Sequence, residues 1–503
     1  MKILLVYPQY PETFWSFKYS LNFIKKKALL PPLGLITIAS MFPEDFETKL
    51  VDLNIENLED KDILWADFVF ISAMITQKDS AYKIVKKCVE LNTKTVAGGP
   101  LFSGLDYEFP EIDHFVMDEG EITFPMFLED LKNNDLKKYY RSDKKPDMKN
   151  TPVPRWELIK QDAYARMPVQ YSRGCPYDCE FCDVVRLNGK IPRTKTPENI
   201  IRELEVLFDS GWKGSVFFVD DNFIGNKNET KLLLKKLIDW RKEKKCKMTF
   251  MTEVSLNVAD DEELMFYLRE AGFNSLFIGL ETPSQESLAE CGKYQNKNRN
   301  IIDSVLTLYK NGFLVSAGFI VGFDNDDLNI FKRQIDFIQK TGVVIAMIGL
   351  LQALPGTRLY ERLKKENRLL TDSSGNNTDF SINFIPKIGY DELIEGYKHI
   401  VNTVYSKKEY YERALVFVKN YNHYVDEYFK SEYLFALFKS IFYMGILDKN
   451  RFYYWKTFFI SLIKYPRAFT KFIAMSIYYA HFKKVFADYA IPIRIQSNNK
   501  LSS

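Results

Sequence analysis

The chain has almost no excess charge and few cysteines, and each scarcity excludes a class of function. Its 69 lysines and arginines nearly balance 66 aspartates and glutamates, which leaves a net charge of +3. So balanced a surface lacks a global field that would attract nucleic acid, and no nucleic-acid partner is expected. Six cysteines in 503 residues do not form a disulfide framework, and they favour a reducing, cytoplasmic compartment.

Long hydrophobic runs are missing as well. No stretch approaches the roughly 18 uncharged apolar residues that a membrane-spanning helix needs. The N-terminal MKILLVYP contains a short apolar run without a small-residue cleavage site, so it predicts a first strand rather than a signal peptide. These patterns predict neither a transmembrane helix nor export.

The sequence does contain alternating strand and helix patterns, which predict an α/β protein of several domains. In residues 1–140, the β-like runs ILLVYP, ADFVFISAM and TKTVAGGP alternate with helical patterns, as in a Rossmann-like parallel sheet. Residues 141–165 are polar and contain three prolines, so we predict a linker lying over the surface.

Residues 166–390 predict a second α/β unit. Six candidate strands suit a partial (β/α)6 barrel of the TIM type; they are VQYSRG, SVFFVDD, KMTFMTEVSL, SLFIGLE, VSAGFIVGF and VVIAMIGLLQALPG. One helix should begin after Thr196, which can cap it, with Pro197 in the first turn. Residues 391–503 lack strand patterns and predict a helical C-terminal domain.

Three cysteines lie within eight residues, in the run YSRGCPYDCEFC. Cys175, Cys179 and Cys182 form a CxxxCxxC motif directly after a predicted strand, and three soft thiolates so close can converge on one metal centre. An iron-sulfur cluster normally takes four cysteines, so three leave one iron open to a small molecule. A structural zinc site and chance clustering are the alternatives, but no CxxC or HxxxH partner occurs elsewhere.

This motif, with Phe181 before its third cysteine, resembles that of the radical S-adenosylmethionine (SAM) superfamily. The resemblance implies a 4Fe-4S cluster held by Cys175, Cys179 and Cys182. It also implies that the cluster reduces the sulfonium of SAM, which releases a 5′-deoxyadenosyl radical that abstracts hydrogen from an unactivated carbon. An electron donor such as flavodoxin or ferredoxin would supply electrons to the cluster.

The resemblance further implies SAM contacts at predicted strand ends, where the functional residues of barrels gather. The candidates are Asp220, Asp221, Asn222, Glu253, Glu281, Gly318 and Gly322. The second strand carries VDDN where the family has GGE, which weakens the assignment of the contact to the SAM amine. The plainer alternative is that such acids cap helices and such glycines permit tight packing.

The N-terminal pattern resembles the cobalamin-binding domains attached to radical enzymes. Ser72, Gly98, Gly99 and Glu119 match that family's small-residue and GEGE-like positions in order and spacing, although a Rossmann-type turn without ligand is the alternative. The DxHxxG motif that supplies a cobalt ligand is absent, and His114 lacks its spacing, so we interpret His114 as an ordinary strand-edge residue. The resemblance implies either cobalamin without a histidine beneath cobalt or a domain that has lost the cofactor.

Residues 1–420 are similar to the cobalamin-dependent radical enzymes that include the hopanoid methylases, in runs such as VPRWELI, DDNFIGN, LPGTRLY and SGNNTDFSINFIPK. This resemblance implies methyl transfer to an unactivated carbon of a hydrophobic lipid of polycyclic or isoprenoid type. The alternatives are a radical enzyme that couples or cyclises carbon chains without methyl transfer, and a sensor without catalysis. A transfer-RNA methylthiotransferase is disfavoured, because only Cys88 lies upstream and the C-terminus reads as helical.

Residues 433–485 alternate aromatic clusters with single lysines or arginines. Such a helix pair can lie in a membrane interface at the inner face of the membrane, with its cations near the headgroups. It can also be a helical cap packed on the barrel, which we favour, and a cap can form the mouth of a lipid-binding pocket.

Overall fold

The computed structural model describes residues 1–105, 108–370, 373, 375–376, 379–428 and 431–486. The strands are β1 (Lys2–Tyr7), β2 (Glu47–Asp52), β3 (Phe68–Ser72), β4 (Lys94–Gly98), β5 (His114–Val116), β6 (Tyr139–Tyr140), β7 (Arg166–Val169), β8 (Ser172–Arg173), β9 (Arg193–Thr194), β10 (Ser215–Phe218), β11 (Phe250–Glu253), β12 (Phe273–Glu281), β13 (Leu314–Val321) and β14 (Ala346–Leu350).

The α-helices are α1 (Lys18–Leu21), α2 (Leu33–Ala39), α3 (Asp60–Trp65), α4 (Lys78–Glu90), α5 (Phe102–Leu105), α6 (Gly120–Asn133), α7 (Val184–Asn188), α8 (Pro197–Asp209), α9 (Lys227–Glu243), α10 (Glu262–Glu270), α11 (Gln285–Glu290), α12 (Ile301–Lys310), α13 (Ile330–Thr341), α14 (Arg358–Lys365), α15 (Tyr390–Val404), α16 (Lys407–Asn420), α17 (Ser431–Ser440), α18 (Phe452–Lys464) and α19 (Phe469–Val485). A π-helix, Ile441–Leu447, follows α17. Short 3-10 helices cover Phe14–Ser16, Asn22–Ile24, Ile75–Gln77, Met148–Asn150, Trp156–Leu158, Gln161–Ala163, Leu256–Asp260, Tyr294–Asn296 and Pro466–Ala468.

The first sheet is parallel throughout, in the order β2-β1-β3-β4-β5-β6. β1 is fully buried over residues 3–6, because helices cover both faces of the sheet and a parallel strand so covered reads as a continuous apolar run. The predicted Rossmann-like domain is confirmed. Strand β2 was not predicted, because its ETKLVD is half exposed at the sheet edge and therefore lacks a hydrophobic pattern.

The second sheet has the order β14-β13-β12-β11-β10-β7, so six parallel strands follow one another in chain order. This is the predicted partial (β/α)6 barrel. The first strand was placed wrongly, since β7 ends at Val169 and Ser172–Arg173 pairs antiparallel with β9 instead. Where the chain leaves the barrel, the Asp220 carboxylate accepts the backbone amides of Tyr171 and Ser172.

Two further predictions concern the start of helix α8 and the linker over residues 141–165. Helix α8 begins as predicted, with the Thr196 hydroxyl accepting the Asn199 amide at 3.2 Å and Pro197 in the first turn. The linker does not simply lie over the surface, because Trp156 and Tyr164 are buried and the Tyr164 hydroxyl donates to Asp52 at 2.8 Å. These two aromatic rings add an apolar component that the polar composition of the segment hides. The domain boundaries themselves stay predictions.

The C-terminal helices pack on the barrel as a cap. Tyr397 and Tyr405 donate hydroxyl hydrogen bonds to the carbonyls of Ile348 and Ala346 in β14, at 2.9 and 2.6 Å. The N-terminal segment joins the same core, since Phe14 stacks on Phe482 with ring centroids 4.6 Å apart. No described helix is both long and apolar enough to cross a membrane. Residues 487–503, in the predicted helical domain, and part of the SGNNTDF run lie outside the described residues.

Candidate functional site

The cysteine loop leaves β8 through a glycine that no other residue could replace without strain. Gly174 has a φ of +101°, and a Cβ there would lie 2.8 Å from the carbonyl oxygen of Gly189. Its amide donates to the Asp221 carboxylate at 2.7 Å, and Asp221 also accepts from the Asn188 side chain at 2.9 Å. The loop is therefore fixed one residue before Cys175.

The middle of the loop is held by other parts of the chain. The amide of Glu180 donates to the carbonyl of Cys291 at 2.8 Å, and the carboxylate of Glu180 pairs with Arg362 of α14 at 2.7 Å. The amide of Leu359 donates in turn to the Glu180 carbonyl at 2.9 Å. These contacts present Cys175, Cys179 and Cys182 from one rigid loop.

The three thiols lie in a partly buried pocket, and Cys179 is 8% exposed. Burial raises the pKa of all three thiols, that of Cys182 to about 12, so metal binding is what would make them thiolates. The Asn222 amide nitrogen lies 3.9 Å from the Cys175 sulfur, a donor of the kind that tunes a cluster. The donor set fits an iron-sulfur cluster.

Among the described residues, no three histidine, cysteine or acidic side chains converge on one point as ligands of a single ion do. Three cysteine sulfurs that do not converge on one point are compatible with a cluster, because in a 4Fe-4S cubane each thiolate binds a different iron atom. The sulfurs need not meet at one point, whereas the four ligands of a zinc ion must.

The two acids of the VDDN run, Asp220 and Asp221, hold the cysteine loop in place. Asp220 is 2% exposed, accepts the Ser172 hydroxyl at 2.6 Å and also accepts the Tyr171 and Ser172 amides. Burial raises the pKa of Asp220 to about 7, although these hydrogen bonds oppose the rise. With Asp221 bound to Gly174, both side chains support the loop, and their contact with SAM stays a prediction. Asn222 lies beside Cys175 and accepts the Ser255 amide at 3.2 Å.

Glu253 ends β11 close to these acids. Burial, and then the charges of Asp221 and Asp220, raise the pKa of Glu253 to about 8, so its carboxyl group is largely protonated at neutral pH. A protonated carboxyl group can donate a hydrogen bond as well as accept one. Its contact with SAM stays a prediction.

Glu281 ends β12 in a conformation that is rare for a residue with a side chain, with a φ of +63°. A register shift between Gly279 and Glu281 accompanies it, and the Gln334 amide fixes the Glu281 carbonyl at 3.1 Å. Gly318 lies alongside, where a Cβ would be 4.0 Å from the Glu281 carboxylate. The structure therefore brings these two predicted SAM residues together at adjacent strands.

Gly322 follows β13 with a φ of +108°, which favours glycine. The Asp326 carboxylate accepts the amides of Gly322 and Phe323 at 2.9 and 3.1 Å, and also the Ser287 hydroxyl at 2.8 Å. Asp326 thus fixes the turn after β13. The sequence analysis did not single it out, because an acid in a loop has no pattern of its own.

The carboxyl edge of the first sheet carries the predicted cobalamin residues. A Cβ on Gly99 would lie 2.7 Å from the Ser72 hydroxyl, and one on Gly98 would lie 2.8 Å from the Val116 carbonyl. These atoms of the chain itself require glycine at both positions, and the contact of Ser72, Gly98 and Gly99 with cobalamin stays a prediction. His114 lies at the opposite, amino end of β5 and contacts the Lys137 carbonyl at 2.7 Å, which confirms it as an ordinary strand residue.

The loop after β1 contains Tyr10. The Tyr10 hydroxyl donates to the Met74 sulfur at 3.4 Å, and Met74 follows β3 close to Ser72. A cavity of about 530 Å³ opens beside this edge, and its lining combines polar side chains such as Gln9, Asp79 and Lys83 with the apolar side chains of Leu53, Leu58 and Ile84. A recess and a small-residue edge thus occur together.

Comparison with known sequences matches three parts of the chain to family models. Residues 19–128 match the B12 binding domain, residues 169–338 match the radical SAM superfamily, and residues 357–492 match a domain of unknown function, DUF4070. An uncharacterized methyltransferase of Synechocystis sp. is 40% identical over 96% of this chain and 91% of its own length. The hopanoid C-2 methylase of Rhodopseudomonas palustris is 33% identical over 82% of this chain and 78% of its own length.

The chain belongs to the cobalamin-dependent radical SAM methyltransferases. Its cofactors are accordingly a 4Fe-4S cluster, SAM and cobalamin. Two solved structures share the fold at low identity. The cobalamin-dependent SAM radical enzyme OxsB has a TM-score of 0.62 and 16% identity over 97% of this chain and 80% of its own. The radical SAM methyltransferase TsrM from Kitasatospora setae has a TM-score of 0.57 and 15% identity over 73% and 76%.

A group of ion pairs joins the two cofactor-binding parts of this methyltransferase. Arg173 and Arg193 lie directly opposite each other in the β8–β9 ribbon, where two like charges repel. Glu119, from the first domain, accepts both at 2.7 Å, and Glu121 accepts Arg173 at 2.7 Å. Glu119 was predicted to contact cobalamin; the structure places its carboxylate between arginines of the barrel, and the cobalamin contact stays a prediction.

Lys293 is a second residue that the sequence analysis missed. Its ammonium group pairs with Glu281 at 2.7 Å, and the two side chains are 14% and 6% exposed. A Cβ on Gly279 would lie 2.7 Å from this ammonium, so the glycine leaves space for the pair. Burial lowers the pKa of Lys293, but Glu281 and then Cys179 outweigh it and raise the pKa overall, so Lys293 keeps its charge.

Replacing Lys293 by methionine should lower the reduction potential of the cluster by on the order of 50 mV. A nearby positive charge favours the reduced, more negative state of a cluster, and net charge is one of the factors that set its potential. A potentiometric titration followed by electron paramagnetic resonance (EPR) measures the effect. Lys293→Arg keeps the charge and should stay near the wild-type value. An unchanged potential in Lys293→Met would contradict the assigned role.

Proposed function

We propose that this methyltransferase methylates an unactivated carbon of a hydrophobic lipid of polycyclic or isoprenoid type. The observation that carries the proposal is the 33% identity, over 82% of the chain, to a hopanoid C-2 methylase. The apolar outer face of the C-terminal helices supports it, because a lipid substrate needs an apolar approach. When bound, the cluster with SAM supplies a radical that abstracts hydrogen, and cobalamin supplies the methyl group.

We assign the groups of this chain as follows. Cys175, Cys179 and Cys182 hold the cluster, and the charge of Lys293 offsets its negative charge. Asn222, Glu253, Glu281, Gly318 and Gly322 line the SAM side, while Asp220 and Asp221 keep the loop in place. Ser72, Gly98 and Gly99 give cobalamin a close approach to the first sheet.

We also propose an electron donor and a cellular location for the enzyme. A reducing protein such as flavodoxin or ferredoxin supplies electrons, and the enzyme works at the inner face of the membrane, where a hydrophobic substrate resides.

Comparison of the lipids of cells with and without the gene by mass spectrometry should reveal a species that loses one methylene mass when the gene is deleted. Restoring the gene should restore the species, whereas restoring a Cys179→Ala copy should not, since methyl transfer requires the cluster. A lipid that changes without a methylene difference would favour carbon-carbon coupling or cyclisation instead. An unchanged lipid profile would contradict a lipid substrate.

A further inference from the structure

The C-terminal helices expose a concentration of large apolar side chains. We call it the α17–α18 surface, and it consists of Tyr433, Leu434, Phe435, Phe438, Phe442, Tyr443, Ile446, Leu447, Phe452, Phe459, Leu462 and Ile463. These are twelve of the 29 exposed large hydrophobic residues in the described part of the chain, although they span only residues 433–463. Single exposed hydrophobics are ordinary, but such a concentration marks an interaction site.

The inner faces of the same helices are firmly packed, so the exposure does not come from a loose segment. Met444, Tyr454 and Phe458 are 4%, 0% and 8% exposed. The Trp455 indole donates to the Gly445 carbonyl at 2.9 Å, which ties α18 to the π-helix. The helices therefore have one face in the core and a second apolar face outside.

The charges around this surface are almost all positive. Between residues 433 and 486, nine lysines and arginines accompany one acid, Asp448. Asp448 is already paired with Lys407 at 2.9 Å and with Lys483 at 3.1 Å. Lys449, Arg451, Lys456 and Lys464 are exposed beside the apolar residues.

Cations also lie directly on the aromatic side chains. The ammonium groups of Lys25 and Lys439 lie 4.9 and 4.7 Å from the centre of the Phe435 ring. Segments that combine aromatic side chains with cations are typical of a membrane interface, where the rings enter the acyl region and the cations meet headgroups.

We propose that the α17–α18 surface binds an anionic lipid bilayer. The positive charge selects the occupant, because a second copy of the chain would bring like charges face to face, whereas anionic headgroups complement them. The proposal rests on the proposed function in so far as it gives the enzyme access to a lipid substrate. Binding itself is measured without any substrate.

The test is sedimentation of the full chain with vesicles. The protein should bind vesicles that contain phosphatidylglycerol, bind phosphatidylcholine vesicles much less, and dissociate as salt is added. Phe438→Glu and Ile463→Glu should each weaken binding about tenfold or more, because each puts a charge where an apolar side chain would be buried. Leu328→Glu, which changes an equally exposed residue on another face, should bind as wild type does.

A second variant set tests the charge. Replacing the exposed Lys449, Lys456 and Lys464 by glutamine should reduce binding to anionic vesicles without unfolding the helices. Equal binding to neutral and anionic vesicles would contradict the inference that the positive charge of this surface selects anionic headgroups. Absence of vesicle binding, or self-association that Phe438→Glu abolishes, would overturn the proposal in favour of a protein partner. If the protein binds vesicles but the cellular lipid profile is unchanged, the membrane-binding role of the α17–α18 surface would stand. Only the proposed lipid substrate would be refuted.

Discussion

Replacing Cys179 by alanine should abolish both the brown cluster absorbance and the formation of 5′-deoxyadenosine. Cys179 is the most buried of the three thiols, and with only three cysteine ligands in the loop the loss of one leaves too few to hold a cubane. Absorbance and 5′-deoxyadenosine are measured on anaerobically reconstituted protein with SAM and a reductant, so the result does not depend on knowing the substrate.

Cys291→Ala is the matched control. Cys291 is 1% exposed, and burial raises the pKa of its thiol to about 12, with a smaller contribution from nearby Cys179, yet it lies outside the CxxxCxxC motif. The control should keep cluster absorbance and 5′-deoxyadenosine at close to wild-type levels. Continued 5′-deoxyadenosine formation by Cys179→Ala would refute the cluster assignment, and an equal loss in Cys291→Ala would show that the motif alone does not define the ligands.

The parts of this site that could be predicted are those that depend on residues close together in the sequence. The cysteine motif, the Thr196 cap and the strands of the barrel depend on neighbouring residues or on a repeated pattern. The strand ends were predictable for the same reason, because polar residues that follow a buried parallel strand gather at one edge. Asn222, Glu281 and Gly318 could therefore be singled out without knowing their partners.

What could not be predicted depends on contacts between distant segments. Lys293 lies in the undistinguished run CGKYQN, and only the fold places it against Glu281. In the same way, Asp220 reads as a free acid until the structure shows it holding Tyr171 and Ser172. Edge strand β2 was missed because half-exposed strands lack a hydrophobic pattern. Each case needs tertiary information that no local pattern contains.

Arg173→Met should lower the free energy of unfolding by about 3–5 kcal/mol. Arg173 is 15% exposed, and it donates to Glu119 and to Glu121, which are 8% and 10% exposed. The substitution leaves Glu121 without a cationic partner and Glu119 with fewer, in a mostly buried place. Removing one partner of a buried pair is costly for that reason, and thermal or denaturant unfolding measures the loss.

Arg155→Met is the control for this variant. Arg155 also pairs with an acid, Glu157 at 2.6 Å, but the two side chains are 33% and 64% exposed. An exposed pair contributes about 0–1 kcal/mol, so the control should be nearly neutral. A loss in Arg173→Met no larger than that in Arg155→Met would contradict a structural role for the buried group.

The pH dependence of the loss identifies the group responsible. Burial raises the pKa of the Glu121 carboxyl group, but the hydrogen bond and the charge of Arg173 outweigh burial, so the net pKa lies below its ordinary value of 4.5. A carboxylate whose pKa is lower in the folded state contributes stability above its unfolded pKa and loses that contribution as the pH falls through its folded pKa. The deficit of Arg173→Met should therefore be largest near neutral pH and shrink below about pH 4.5, whereas a packing defect would not depend on pH.

Arg173 also has a positioning role that stability alone does not reveal. It lies two residues before Cys175 and joins the cluster loop to Glu119 and Glu121 of the domain that carries Gly98 and Gly99. Combining Arg173→Met with Glu119→Gln and Glu121→Gln removes the unpaired charges and should recover part of the stability, but not the connection between domains. Since cob(II)alamin and the reduced cluster are both paramagnetic, pulsed EPR should find a broader distance distribution between them in this triple variant. A distribution as narrow as in wild type would assign these ion pairs to stability alone and leave the mutual placement of the two cofactors to the surrounding hydrophobic core.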